Sequence, residues 1–259
     1  MNIKAAFFDI DNTLYNWKKR EFVPSGIQAI KALKRKGIKV FLASARPYRS
    51  QVEFGAFALG IHWDGYISSS GAIAVIGNHY VKKTLMAEKD VHALVALAKK
   101  NDLTMEVVTP KTRFLIAPGN TYLESYHGTY SDTTPPVHAY RGGQCTGVLL
   151  FAPALHDEEF MTELPHLEYY RFHECGLDIM PSEHRKGDGI GAIIDALGIK
   201  KEEAISFGDD VQDITMGESS FLVCMGNGKD EVKEAADYVA LPIAEDGLAK
   251  ALYDLGVLP

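Results

Sequence analysis

The sequence predicts an α/β protein: a parallel, Rossmann-like sheet core interrupted by an inserted α+β cap. Three observations carry that expectation. Apolar, β-prone runs alternate with helical spacings over residues 3–69 and again after residue 185, as in a parallel sheet with covering helices. Between those halves the strands come in pairs, as in an antiparallel layer. The strands of the outer halves end in small polar or acidic residues, at the end of a parallel sheet where ligands bind. The chain of 259 residues can bury one large core or two modest ones. Residues 1–80 and 182–259 are assigned to the core and 81–181 to the cap.

The first strand, over residues 3–8, stops at Asp9-Ile10-Asp11-Asn12-Thr13. Alternate residues of a strand share a face, so the two acids emerge together. Carboxylates that close raise each other's pKa unless a cation meets them. Asp, Asn and Thr are also ordinary turn residues, so the rest of the chain has to decide. Residues 24–36 read as a helix, with Ile27, Ile30 and Leu33 on one face, Pro24 in the first turn and Gly37 as the stop. A strand over 38–43 ends in Ser44-Ala45-Arg46-Pro47. Pro47 opens a helix that closes at Gly60, and a third strand spans 66–69.

In the insertion, residues 77–81 read as a hairpin turn. Residues 89–100 form an amphipathic helix with Val91, Leu94, Val95 and Ala98 on one side. Strands are expected at 103–108, 113–117, 147–151, 169–173 and 176–180, with a second helix at 156–164. Residues 118–143 are rich in Gly, Pro, Thr, His and Tyr without a clear period. Tyr122, Tyr126, Tyr130, His127 and His138 there either face a ligand or pack a loop-rich surface. The parallel pattern resumes with a helix over 185–196 that stops at Gly198. A strand at 204–207 runs into Gly208-Asp209-Asp210-Val211-Gln212-Asp213. A strand at 221–225, a helix at 230–236 and a strand at 238–241 close the reading.

Composition narrows the function. Hydrophobic residues make up 46% and charged residues 24%, ordinary for a soluble globular chain. No apolar run is long enough to span a membrane, and no basic-then-apolar leader precedes the first strand. Three widely spaced cysteines form neither a disulfide framework nor a zinc pattern, which fits reduced thiols in the cytoplasm. A formal charge of −7 argues against nucleic acid as the main partner. Asp9, Asp11, Asp209 and Asp213 gather at one sheet edge with Ser44 and Lys186. Oxygen ligands without His or Cys favour Mg²⁺ over zinc or copper. A carboxylate in such a setting can attack phosphorus, and a second can move protons to the leaving oxygen and from the incoming water. Lys186, the metal and a Ser hydroxyl would hold the phosphoryl oxygens.

Asp-x-Asp-x-Thr at Asp9, the strand-end Ser44 before Arg46, Lys186-Gly187 and Gly208-Asp209-Asp210-x-x-Asp213 resemble the four ordered motifs of the haloacid dehalogenase superfamily. The place of the insertion resembles the Cof-type sugar-phosphate phosphatases. The resemblance implies that Asp9 is the nucleophile and a Mg²⁺ ligand. It makes Asp11 the acid/base, bound to Mg²⁺ through its carbonyl, and Asp209 the remaining ligand. Ile10, Ala43, Ser44, Lys186 and Gln212 would hold phosphate, with Asp210 and Asp213 supporting the metal or the lysine from behind. The chain departs from the family pattern at Asn12 and Ala45, where Gly is usual, and at Gln212 and Ser70, where Asn is usual. The implied activity is Mg²⁺-dependent hydrolysis of a small phosphorylated metabolite, by a monomer or small homo-oligomer. A phosphotransferase or mutase, and a non-catalytic phosphosugar-binding protein, are the alternatives.

Overall fold

The computed structural model describes residues 1–130, 133–182 and 184–259. In chain order the first elements are β1 (Ala5–Phe8), β2 (Tyr15–Asn16), β3 (Glu21–Phe22), α1 (Pro24–Arg35), β4 (Lys39–Ala43), α2 (Tyr48–Glu53), β5 (Gly65–Ser68), β6 (Ile73–Ile76) and β7 (His79–Lys83). Then follow α3 (Glu88–Lys100), β8 (Thr104–Val108), β9 (Arg113–Leu115), α4 (Thr121–Tyr130), β10 (Gly147–Phe151), α5 (Asp157–Glu163), β11 (Leu167–His173) and β12 (Gly176–Pro181). The chain ends with α6 (Lys186–Leu197), β13 (Ala204–Gly208), β14 (Phe221–Cys224), α7 (Asp230–Ala235), β15 (Tyr238–Val239) and α8 (Gly247–Asp254). Two compact units result: residues 1–45, 56–83 and 185–259, and residues 46–55 and 84–184.

The first unit is built on an eight-stranded sheet ordered β15-β14-β13-β1-β4-β5-β6-β7. From β15 to β5 the pairing is parallel; β6 and β7 extend that edge antiparallel. All four residues of β1 are buried, as a strand covered on both faces requires. Phe7 stacks on Phe41 at 5.0 Å, and Phe8 on Phe207 at 5.3 Å. Each such burial contributes roughly 2–3 kcal/mol. Ile190 and Ile193 of α6 pack with Ala5, Phe7, Phe41 and Ile67. The chain leaves β1 toward β4 on one side and returns at β13 on the other. The carboxyl ends of β1, β4 and β13 therefore flank the point where the strand order reverses.

The second unit centres on a five-stranded antiparallel sheet ordered β11-β12-β10-β8-β9. Val91, Leu94 and Ala98 of α3 and Phe160 of α5 join Met105, Val107, Val148, Leu150 and Ile179 in its main core. On the other face Tyr126 and Leu123 of α4 pack with Leu149 and Phe151. The helix after Pro47 is shorter than expected: α2 ends at Glu53, and Gly55 at φ +87° breaks the run. Glu53 bonds Arg113 of β9 at 2.9 Å, and Arg113 also reaches Glu106 of β8 at 3.5 Å. Burial pushes the Glu53 carboxyl up, but the Thr133 hydroxyl, Arg113 and Arg49 outweigh it and hold it near a pKa of about 2. No helix among the described residues is long and apolar enough to cross a membrane.

Candidate active site

β1 and β13 are parallel neighbours with Phe8 beside Phe207, so the acids that follow each strand leave the sheet side by side. The Asp9 amide donates to the Phe207 carbonyl at 3.0 Å, which extends the ladder into the site. Asp9, Asp209 and Asp213 each offer a carboxylate oxygen, and these atoms lie within 4.8 Å of one another, all buried. Lys186, the first residue of α6, puts its buried ammonium 2.7 Å from Asp9 Oδ1 and 2.6 Å from Asp213 Oδ1. The second oxygen of Asp213 accepts the amides of Asp209 and Asp210 at 2.9 and 3.0 Å. Asp213 thus holds both the lysine and the loop that carries Asp209. The Thr13 hydroxyl donates to Asp209 Oδ1 at 3.3 Å.

Glycines bring the lysine to its place. A Cβ on Gly187 would lie 2.0 Å from the Thr215 carbonyl oxygen, and the Gly187 amide donates to Thr215 Oγ1 at 3.1 Å. Gly71, at φ +100°, approaches the Arg185 carbonyl just as closely. Any larger residue at either point would push the start of α6 away.

Three carboxylates around one ammonium leave excess negative charge in a buried place. Burial pushes the Asp9 carboxyl up to a pKa of about 8, with Asp213 and Asp11 adding repulsion and Lys186 opposing it. Burial likewise raises Asp209 to about 9, with Asp9 and Asp213 adding to it. Burial alone would lower Lys186, but Asp213 and Asp9 outweigh it and keep the ammonium firmly charged. An all-oxygen donor set short of positive charge is what a hard divalent cation fits.

The other expected residues are distributed as follows. Asp11 sits outside the carboxylate cluster, and its Oδ1 accepts the Trp17 indole N–H at 3.0 Å. Asn12 adopts φ 54°, the left-handed conformation that the turn after Asp11 asks for. The carbonyl of buried Ile10 accepts the amides of Leu14 and Tyr15. Ala43 and Ser44 are buried at the end of β4, and the Ser44 amide donates to the Ile67 carbonyl at 3.2 Å. Ala45 is absent from the positive-φ residues, so its Cβ carries no backbone strain. Gln212 Oε1 accepts the Ser70 hydroxyl at 3.3 Å, which joins the two positions where the family pattern usually has Asn. Asp210 points instead to the partly exposed Lys229 at 2.8 Å. Sequence reasoning did not single out Thr13 for the Asp209 contact, or Trp17. Thr13 was within reach as the last residue of the Asp motif; nothing local marked Trp17.

A family model described as haloacid dehalogenase-like hydrolase matches residues 6–252. The chain is 30% identical to the "Putative phosphatase YkrA" of Bacillus subtilis over the whole of both chains. A solved structure of a hypothetical protein from Geobacillus kaustophilus HTA426 superposes with a TM-score of 0.90 at 28% identity, covering 99% of this chain and all of that one. The structure of the subclass IIB sugar phosphatase BT4131 superposes with a TM-score of 0.84 at 30% identity, over 98% of this chain and 100% of that one. The ordered Asp, Ser, Lys and Asp positions, the site that collects three of them and the match along nearly the whole chain agree: this protein belongs to the haloacid dehalogenase-like hydrolases, as an enzyme of the phosphatase class.

Proposed function

We propose that the protein hydrolyses small phosphomonoesters, sugar phosphates among them, through an aspartyl phosphate on Asp9. The observation that carries this reading is Lys186 held between Asp9 and Asp213 with Asp209 beside them. The likeness to a sugar phosphatase supports the substrate class. Asp9 presents one carboxylate oxygen to phosphorus while Lys186 fixes the other and draws charge from the phosphoryl oxygens. Asp11 donates its proton to the departing alcohol oxygen as the P–O bond breaks. It then accepts a proton from the water whose oxygen attacks phosphorus and frees Asp9. Ser44, the amides near Ile10 and Ala43, and the Gln212 amide orient the phosphoryl group. A Mg²⁺ ion held by Asp9, Asp209 and the Asp11 carbonyl would add neutralising charge on the same oxygens. Free cysteines at 145, 175 and 224 fit a cytoplasmic setting.

The test is steady-state release of phosphate from p-nitrophenyl phosphate with Mg²⁺. Asp9→Asn is expected to abolish turnover while circular dichroism and melting temperature stay near those of the parent. Near-normal rates in that variant would discard Asp9 as nucleophile.

A further inference from the structure

The hairpin after the first acidic motif is fastened to it by backbone bonds. The Asn12 amide donates to Tyr15 O at 2.9 Å, and the Tyr15 and Leu14 amides donate to Ile10 O at 2.8 and 3.0 Å. Beyond Tyr15, the buried Asn16 accepts the amides of Lys18 and Lys19 at 3.0 and 3.2 Å, which fixes the turn that follows Trp17. The Tyr15 ring meets the Trp17 ring edge-on at 4.9 Å, and Phe22 packs edge-on against Tyr15 at 5.0 Å. The Trp17 indole is thereby held with its N–H 3.0 Å from Asp11 Oδ1.

We infer that Trp17 is a positioning residue for the acid/base carboxyl of Asp11. The inference rests on the phosphatase reading and adds a residue outside its four motifs. An indole N–H only donates, so the Asp11 oxygen it meets is an acceptor whether or not the acid is protonated. A carbonyl oxygen accepts better than a hydroxyl oxygen, so the indole favours the proton on the other oxygen, and one orientation of the carboxyl serves both half-reactions. In the first, the P–O bond to the alcohol breaks as Asp9 bonds to phosphorus, and that proton goes to the alcohol oxygen. In the second, the same Asp11 oxygen takes a proton from water as the water oxygen bonds to phosphorus and the bond to Asp9 breaks. Loss of this bond removes one of the contacts that orient the carboxyl, so the correct oxygen is offered less often, and such misplacement slows a reaction.

Leaving-group dependence tests the role. p-Nitrophenolate departs from phosphorus with little need of a proton, whereas phenolate needs one more. For Trp17→Phe, which keeps a ring against Tyr15, kcat/KM is expected to fall at least about five-fold more on phenyl phosphate than on p-nitrophenyl phosphate. In an Asp11→Ala background the same substitution should add no further loss. A readout independent of turnover comes from the indole N–H resonances of the two tryptophans, Trp17 and Trp63. The one that vanishes in Trp17→Phe should move upfield in Asp11→Ala, with the melting temperature of each variant recorded alongside. Equal losses on both substrates, an additive double variant, or an unmoved indole resonance would overturn the assignment. A parent enzyme that hydrolyses neither ester would overturn the phosphatase reading instead, and the indole resonance would still decide the Trp17–Asp11 contact.

Discussion

Lys186 is the residue on which the local charge balance turns. It carries the ammonium between Asp9 and Asp213, and all three side chains are buried. Lys186→Met keeps the length of the side chain and removes the charge. Turnover of p-nitrophenyl phosphate is expected to fall by about 10²-fold or more. Stability in urea should fall by about 3 kcal/mol, because two buried carboxylates lose their counter-charge. A variant with parental turnover would show that the lysine serves packing alone. At this scale much of the site was legible. Carboxylates two apart at a strand end, a Lys-Gly at a helix start and a Gly-Asp-Asp loop each ask for a partner that a turn cannot supply. Asp210 shows the limit: sequence grouped it with Asp213, but backbone geometry turned one toward Lys186 and the other toward Lys229. Trp17 was invisible because its role comes from a fold-back that no periodicity announces.

Among the elements, α4 was the principal surprise. Tyr122, Tyr126 and Tyr130 recur every four residues, but Thr121, Gly128 and Thr129 favour helices poorly and hid the period. The helix is held by packing: Tyr126 lies 5.3 Å from Phe151 and 5.7 Å from Phe172. The two-residue strands β2 and β3 and the final helix α8 also went unread. The antiparallel pairing of β6 and β7 was foreshadowed only by a hairpin turn. On β12, Asp178 stands beside Leu149 and Tyr170 of the neighbouring strands. Burial pushes its carboxyl from 3.8 up to about 7. Between those values the folded chain binds the proton more tightly than the unfolded chain does. The stability contributed by the protonated acid is therefore full below about pH 4, declines as pH rises through about 7, and is lost above it. Asp178→Asn should stabilise the protein by roughly 2 kcal/mol at pH 8 and by much less at pH 4.5. Urea denaturation at both pH values measures this, and equal effects at the two would refute it.

For the whole molecule, the sequence made the parallel sheet readable, since strand and helix periods alternate along its strands. The unit boundaries were less so: residues 46–55 join the second unit although they follow a strand of the first. Only three-dimensional bonds such as Glu53 to Arg113 reveal that allegiance. The shortage of positive charge around Asp9 and Asp209 predicts a global response to metal. Mg²⁺ at a hundred times its dissociation constant should stabilise the native state by about 2.7 kcal/mol, raising the melting temperature. Chelation with EDTA should reverse the rise and suppress turnover, and Asp209→Asn should abolish the rise. A melting temperature indifferent to Mg²⁺ would sink the prediction.

The central place of β1, with β4 on one flank and β13 on the other, has a consequence for synthesis on the ribosome. The second flank of Ala5–Phe8 is not made until roughly two hundred residues have been translated. Throughout that interval the growing polypeptide carries an apolar Ala-Ala-Phe-Phe segment with one row of backbone donors and acceptors open to any passing strand. Fragments that stop short of Ala204 are therefore expected to be sticky and chaperone-dependent, however well the inserted sheet folds.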